Sequence, residues 1–388
     1  MLVQWDYSHQ FSSSPTKKFG SVIKNHERII LLNNIPPLGG VGRYAYALYQ
    51  NLAKSGLGVI LISWDRELFG SSYKALRALG LNSFYYLLKF KYLSVKLKVN
   101  APLIHVTNAG YLSSVIPSLR KKSNAEIVVT VHDMAPFIEP RSIADFHVQN
   151  KMFFIINVSY VICASENTRR DLLRFIDIDS KKVKVIYYGV DHELFKPRDK
   201  LEARRRLGLP LDRPIILNVG TEEPRKNIPT LIKAFDILAK NIPNAILIRV
   251  GSPTNTIKKL IYSQGLEGKI VYLRPNDEDL SLLYNASDVF VFPSYYEGLG
   301  LPLLEAMASS CPVIAGNRSA IPEAVGDGGI LLDPFDIDGF AYWMHEVLSN
   351  KDLMIKLSEK GYRRSLNFSW EKCARETLEV YKEILNEV

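Results

Sequence analysis

Short apolar runs alternate with amphipathic segments along most of this 388-residue chain. RIILLNNI is compact and β-branched, bounded by Pro36, Pro37 and two glycines, the pattern of a strand buried on both faces. In GGVGRYAYALYQNLAKSG the residues Val41, Ala45, Leu48 and Leu52 recur at helical spacing, and Gly56 ends the helix. Further strands are predicted at VILIS, LIHVT, EIVVTVHD, YVICAS and VKVIYYGV, with helical segments between most of them. After LFKPRDK comes LEARRRLGLPLDRP, which reads as a charged connector. PIILNVG restarts the alternation, and AILIRVG, KIVYLR, VFVFPS, CPVIAG and GILLDP continue it. Alternating strands and helices imply parallel sheets covered on both faces. The chain is therefore expected to be α/β, with two Rossmann-like halves and a cleft at their junction. Ligands in such sheets bind outside the carboxyl ends of the strands.

The expected division is a polar extension over 1–27, a first domain over 28–195 and a second over 196–366. A last helix within 367–388, with Ser369 as N-cap, is expected to return to the first domain.

Composition narrows the class. The hydrophobic fraction is 47% and the charged fraction 23%, ordinary for a globular protein. No apolar run reaches the roughly 18–20 residues that span a bilayer. The first twenty residues lack the apolar core of a signal peptide. Cys163, Cys311 and Cys373 are odd in number and widely spaced, which argues against a disulfide framework or a structural zinc site. A reducing cytoplasm is the expected setting. Charge is uneven: residues 1–200 hold 27 Lys+Arg and 15 Asp+Glu, whereas the remainder is slightly acidic. A basic first half suggests a polyanionic partner, or else a lysine-rich solvated face.

The strongest chemical signal is FPSYYEGLGLPLLEAMA. Glu297 lies on a glycine-bearing turn after a strand, and Glu305 lies inside the helix predicted to start near Leu301. Between them the backbone N–H groups of Gly298, Leu299 and Gly300 can face an anion, because the first turn of a helix leaves donors without intrahelical partners. Acids at each end and N–H groups in the middle suit a ligand with hydroxyls at both ends and phosphate between. The same residues also suit a turn with a solvated glutamate and a helix-start acid favoured by the macrodipole. In NVGTEEPRKN, Arg225 and Lys226 precede a helix and follow a strand end. Such cations neutralise a diphosphate, arginine as a fork and lysine as a point charge. A solvated basic turn is the alternative.

Three further segments carry weaker signals. GGVGRYA meets the dinucleotide fingerprint, with Asp65 near the ribose-acid position, so a nicotinamide-dependent oxidoreductase is a rival reading. VHDMAPF puts His132 at a strand end. Residues 84–98, FYYLLKFKYLSVKLK, interleave aromatics with Lys89, Lys91, Lys96 and Lys98 and include Tyr92. They suit an interfacial membrane helix on anionic lipid, or an ordinary amphipathic helix on the sheet. The Asp-x-Asp pairs at 177/179, 277/279 and 336/338 read as loops or caps, and no metal is expected. A basic nucleic-acid-binding module would have no need of the second-half motifs, so no nucleic-acid partner is expected.

GGVGRYA, VHDMAPF, CASENTRRDL, VIYYGVDHELF, VGTEEPRKN, SYYEGLGLPLLEAMASSCPVIAGN and IPEAVGDGGILLDP occur in that order. Together, over about residues 29–388, they resemble the retaining glycosyltransferases of family 4, which have the two-domain GT-B fold. The resemblance implies that Glu297 contacts the donor hexose hydroxyls near the reacting carbon and that Glu305 holds the ribose hydroxyls. It implies that Gly298, Leu299 and Gly300 meet sugar or phosphate and that Lys226, with Arg225, binds the diphosphate. His132 resembles the histidine beside the sugar. Gly40 and Val41 would approach phosphate and acceptor, and Arg274 would lie near the nucleobase. Many members have arginine where this chain has Thr221, so Arg225 and Lys226 are expected to carry that charge. PRKN and EGLGLP resemble a mannosyltransferase-like branch using GDP-mannose, with UDP-sugars as the other donor class. The family generally needs no metal or other cofactor. The implied partners are a nucleotide-diphospho-sugar, a glycan or lipid-linked acceptor and an anionic membrane surface at the inner face of the cell membrane.

Overall fold

The computed structural model describes residues 29–33, 40–63, 101–140 and 143–385. These fall into two units. One is Gly189–Ser369, and the other joins the described residues before Gly189 to the segment beginning at Trp370.

The unit containing the N-terminal strands is built on a six-stranded sheet. Its strands are β1 (Ile29–Asn33), β2 (Val59–Ser63), β3 (Leu103–Val106), β4 (Glu126–Val131), β5 (Tyr160–Cys163) and β6 (Val183–Val185). They lie in the order β2-β1-β3-β4-β5-β6, and every pairing is parallel. Ile30, Ile104, Val129 and Val161 are fully buried, which explains the unbroken apolar runs. Helix Gly40–Lys54 follows β1 and buries Tyr44, Ala45, Leu48 and Leu52. Ser165 caps the helix Glu166–Phe175 by accepting from the Thr168 N–H at 3.0 Å. The helix Trp370–Leu385 packs against Gly40–Lys54 in the same unit. Its Tyr381 hydroxyl reaches His105 Nδ1 at 2.5 Å inside the sheet.

The second unit also has a six-stranded parallel sheet, in the order β12-β11-β10-β7-β8-β9. The strands are β7 (Ile215–Val219), β8 (Ile246–Val250), β9 (Ile270–Leu273), β10 (Val289–Phe292), β11 (Val313–Gly316) and β12 (Ile330–Leu332). Its core forms where Leu231, Phe235 and Leu238 of helix Ile228–Asn241 meet Ile216, Leu247 and Val291 of the strands. Phe340 and Met344 of helix Ile337–Ser349 complete that layer. The chain reverses direction across the sheet at the β7–β10 pair, which is the switch point where α/β sheets open a crevice.

All twelve strands of the described residues lie where the apolar runs place them. The connector before β7 differs: Lys200–Arg206 is a helix capped by Asp199, and its Arg204 side chain is buried. Arg204 donates to the carbonyls of Ala286, Leu211 and Arg213 at 2.9–3.0 Å and to Asp288 Oδ2 at 2.7 Å. Asp288 also accepts from Lys200 Nζ and the Ile215 N–H, each at 2.7 Å. A sequence window of charged residues reads as solvated because the carboxylate that neutralises the buried arginine, Asp288, lies eighty-four positions away. Asp179 and Asp336 act as helix caps, accepting from Lys181 N–H at 2.9 Å and Gly339 N–H at 2.8 Å.

Replacing Arg204 with Ala is expected to lower the unfolding free energy of this unit by about 3 kcal/mol, because Asp288 and several carbonyls lose their donor. Urea unfolding followed by circular dichroism measures it. A loss below about 1 kcal/mol would match an exposed pair instead.

Candidate functional site

Because β7 and β10 are neighbours, the loops that leave their carboxyl ends meet. The β7 loop carries Arg225 and Lys226 in a single 3-10 turn, Pro224–Lys226. The β10 loop carries Tyr295, Tyr296 and Glu297. The two loops are tied through the backbone, with the Tyr295 N–H donating to the Arg225 carbonyl at 2.9 Å. Asn227 takes a left-handed conformation, and its side-chain amide donates to the carbonyls of Pro293 at 3.2 Å and Pro334 at 2.5 Å. The basic turn is therefore fixed from both sides.

Glu297 sits between the two cations. Lys226 Nζ donates to its Oε1 at 2.6 Å and Arg225 Nη1 to its Oε2 at 3.2 Å. Its side chain is 7% exposed, and those of Lys226 and Arg225 are 11% and 17% exposed. That burial contradicts both solvated readings of the sequence. Burial alone would raise the Glu297 pKa, but Lys226 and then Arg225 outweigh it and hold the carboxyl below its ordinary value of 4.5. Arg225 is shared with Glu223 Oε2 at 2.7 Å and with the Tyr296 carbonyl at 3.1 Å. Ser319 grips the Glu297 backbone, accepting from its N–H at 3.1 Å and donating to its carbonyl at 2.7 Å. The Lys226 ammonium also lies 5.4 Å from the Phe292 ring centroid.

Gly298, Leu299 and Gly300 lead from Glu297 into the helix Leu301–Ala308. Gly300 has φ of +98°, and a Cβ there would meet Leu303 Cδ1 at 2.8 Å, so the turn requires glycine. Glu305 lies inside that helix and is buried; the Tyr284 hydroxyl donates to its Oε2 at 2.9 Å. Tyr284 is itself fully buried between Phe195 and Phe290, so it orients Glu305 rigidly. Thr221 turns its hydroxyl to Glu223 Oε1 at 3.0 Å. Arg274 follows β9 and donates to Ser252 Oγ at 2.5 Å.

In the other unit His132 follows β4 and is half-buried. Its Nε2 lies 2.7 Å from the Thr107 carbonyl, which can only accept, so Nε2 carries the proton. Nδ1 is then bare and accepts from the Tyr188 hydroxyl. Burial lowers the His132 pKa to about 4 against the opposing pull of the Thr107 carbonyl, so the ring is neutral near pH 7. Tyr44 packs edge-on against it at 5.2 Å. Gly40 is exposed at the start of the helix Gly40–Lys54, and Val41 follows it, partly buried. Lys89, Lys91, Tyr92, Lys96, Lys98 and Asp65 lie outside the described residues.

Sequence reasoning missed Tyr188, Tyr284, Ser319, Glu222 and Arg249. Of these only Arg249 carries a local signal, as a lone charge inside the apolar strand ILIRV. The others are common residues whose partners lie on other elements, away along the chain.

The pattern of the family described as Glycosyltransferase Family 4 matches residues 38–194, and that of Glycosyl transferases group 1 matches residues 199–364. GGVGRYA lies within the first of these segments, and the oxidoreductase reading finds no support. The O-antigen chain mannosyltransferase B of Escherichia coli is 28% identical over 270 residues, 66% of this chain and 70% of that protein. The D-inositol 3-phosphate glycosyltransferase of Corynebacterium glutamicum is 29% identical over 298 residues, 73% of this chain and 67% of that protein. Among solved structures, a sucrose-phosphate synthase from Thermosynechococcus elongatus aligns with a TM-score of 0.74 at 24% identity, covering 93% of this chain and all of that one. Anabaena HepE, solved in complex with UDP and glucose, aligns with a TM-score of 0.71 at 19% identity, covering 94% of this chain and all of that one. Two doubly wound sheets with the GT-B strand pattern, and family matches that span most of both, make this chain a member of the family 4, group 1 glycosyltransferases.

Proposed function

We propose that this glycosyltransferase moves a hexose from a nucleotide-diphospho-sugar to an acceptor hydroxyl with retention of anomeric configuration. The favoured donor is GDP-mannose and the favoured acceptor a lipid-linked glycan. The observation that carries the reading is the buried cluster of Lys226, Arg225 and Glu297 at the β7–β10 switch point. A departing diphosphate gains negative charge in the transition state. Cations already fixed in a desolvated setting stabilise that charge more than they stabilise the bound donor. Lys226 and Arg225 supply this charge, and the reading invokes no metal or other cofactor. Glu297, ionised by the same cations, is assigned to the hexose hydroxyls and Glu305 to the ribose. Gly298, Leu299 and Gly300 are assigned to sugar or phosphate, Thr221 to donor binding on the β7 loop and Arg274 to the base. His132 is assigned to the sugar, which would have to displace Tyr188 or Thr107 from one of its ring nitrogens, and Gly40 and Val41 are assigned to phosphate and acceptor.

Mannose transfer is favoured by the Escherichia coli relative, named as a mannosyltransferase. A UDP-hexose donor is the second reading, favoured by HepE, which was solved with UDP-glucose. Among the described residues no helix is long and apolar enough to cross a membrane. Residues 84–98 are assigned to an anionic membrane surface at its cytoplasmic face.

A thermal-shift panel of GDP, GDP-mannose, UDP, UDP-glucose and NAD identifies the donor, since a ligand at 100-fold its Kd adds about 2.7 kcal/mol. Stabilisation by GDP and GDP-mannose alone is the expected result, and stabilisation by NAD alone contradicts transfer. Glu297→Ala is expected to abolish sugar transfer in a product assay while nucleotide still binds, and Glu305→Ala chiefly to weaken nucleotide binding. Normal transfer by both variants contradicts these roles.

Glu297 also makes stability depend on pH. Its folded pKa lies below the unfolded value of 4.5, so its contribution is fully present above that pH. The contribution is lost as pH falls through the depressed folded value. Unfolding midpoints measured downward from about pH 6 are expected to fall less steeply for Glu297→Gln than for the parent, and identical acid limbs would contradict the ion pairing.

A further inference from the structure

Beneath the basic turn lies a second ion pair. Arg249 stands near the carboxyl end of β8, the strand between β7 and β9, and its side chain has no solvent exposure. Its Nη2 donates to Glu222 Oε1 at 2.7 Å and to the Gly220 carbonyl at 3.3 Å. Its Nη1 donates to the Asn218 side-chain carbonyl, and the Asn218 amide donates in turn to the Val291 carbonyl of β10 at 2.6 Å. Tyr272 of β9 donates its hydroxyl to Glu222 Oε1 at 3.3 Å. One guanidinium thus links the ends of β7, β8 and β10 to the loop Gly220–Lys226. The backbones are also in contact, because a Cβ on Gly251 would meet the Gly220 carbonyl at 2.6 Å.

This arrangement is costly as a stabilising device. The side chain of Glu222 is 5% exposed, and its Oε2 and the Arg249 Nε are buried with no hydrogen-bond partner. A buried pair left incompletely bonded is generally no better for stability than apolar residues of similar volume. Geometry is what it supplies. The planar fork fixes the carbonyl of Gly220 and the side chain of Glu222, five and three residues ahead of Arg225. Arg249 adds no net charge at the surface of the loop, since Glu222 neutralises it.

We propose that Arg249, through Glu222, is a positioning residue that sets the Gly220–Lys226 loop so that Arg225 and Lys226 meet the donor's second, sugar-linked phosphate. The inference rests on the functional reading above. Its test is the preference for nucleoside diphosphate over monophosphate, measured by calorimetry with GDP and GMP, or UDP and UMP, as the parent protein requires. Losing two charge-assisted bonds to the loop predicts that Arg249→Met reduces this preference by roughly tenfold or more. Arg249→Lys, which keeps the charge and loses the fork, is expected to reduce it as well. The double variant Arg249→Met with Glu222→Met keeps volume without charge. It is expected to regain the thermal stability lost in Arg249→Met while leaving the preference low. A double variant that restores both, or an Arg249→Lys protein with the parent's preference, overturns the proposal. Parent protein that binds none of these nucleotides overturns the functional reading, and the inference with it.

Discussion

Glu297 can stay ionised in a desolvated pocket only because Lys226 and Arg225 hold its two oxygens. Removing either cation would leave a buried charge short of a partner, which is among the most destabilising changes a fold can suffer. Much of the second unit serves that contact. The β7–β10 pairing brings the two loops together, Asn227 and the Tyr295 N–H lock their backbones, and Ser319 grips the peptide of Glu297. An arrangement of this kind is preorganised: its dipoles and charges are set by the fold itself.

The histidines of the other unit follow the opposite logic. Burial drives the His105 pKa to about 3 and the His132 pKa to about 4, so both rings are neutral at ordinary pH. His105 lies between Tyr381 and Thr130, and Thr130 in turn meets the Tyr44 hydroxyl at 2.9 Å. This chain of bonds ties the helix Trp370–Leu385 to the sheet interior and to the helix Gly40–Lys54. The neutral His132 spends one nitrogen on the Thr107 carbonyl and the other on the Tyr188 hydroxyl, so both of its ring positions are held within this unit.

The fold was legible in the sequence because its signal is local. Each parallel strand is a short apolar run, and many of the helices announce their apolar spacing and often their cap. PRK and E-x7-E were legible for the same reason, since each is a contiguous motif after a strand. What the sequence hid is burial of charge. Arg204 looked solvated within LEARRR, yet it is held by Asp288, eighty-four positions on. Glu222 looked like one more acid in TEEPRK, yet Arg249 of the next strand makes it an anchor. Tyr284 and Glu305 are separated by twenty-one positions and a strand, and only the packing of their helices brings them into contact. A charged side chain is legible as buried only when its partner is known, and partners are set by sheet order.

The central claim is that Lys226 and Arg225 bind the diphosphate of the donor. A crystal structure of the protein with the nucleoside diphosphate it prefers tests this directly. The account predicts phosphate oxygens within about 3.2 Å of Lys226 Nζ and of the Arg225 guanidinium. A diphosphate seated elsewhere, with both cations still held by Glu297, would contradict it.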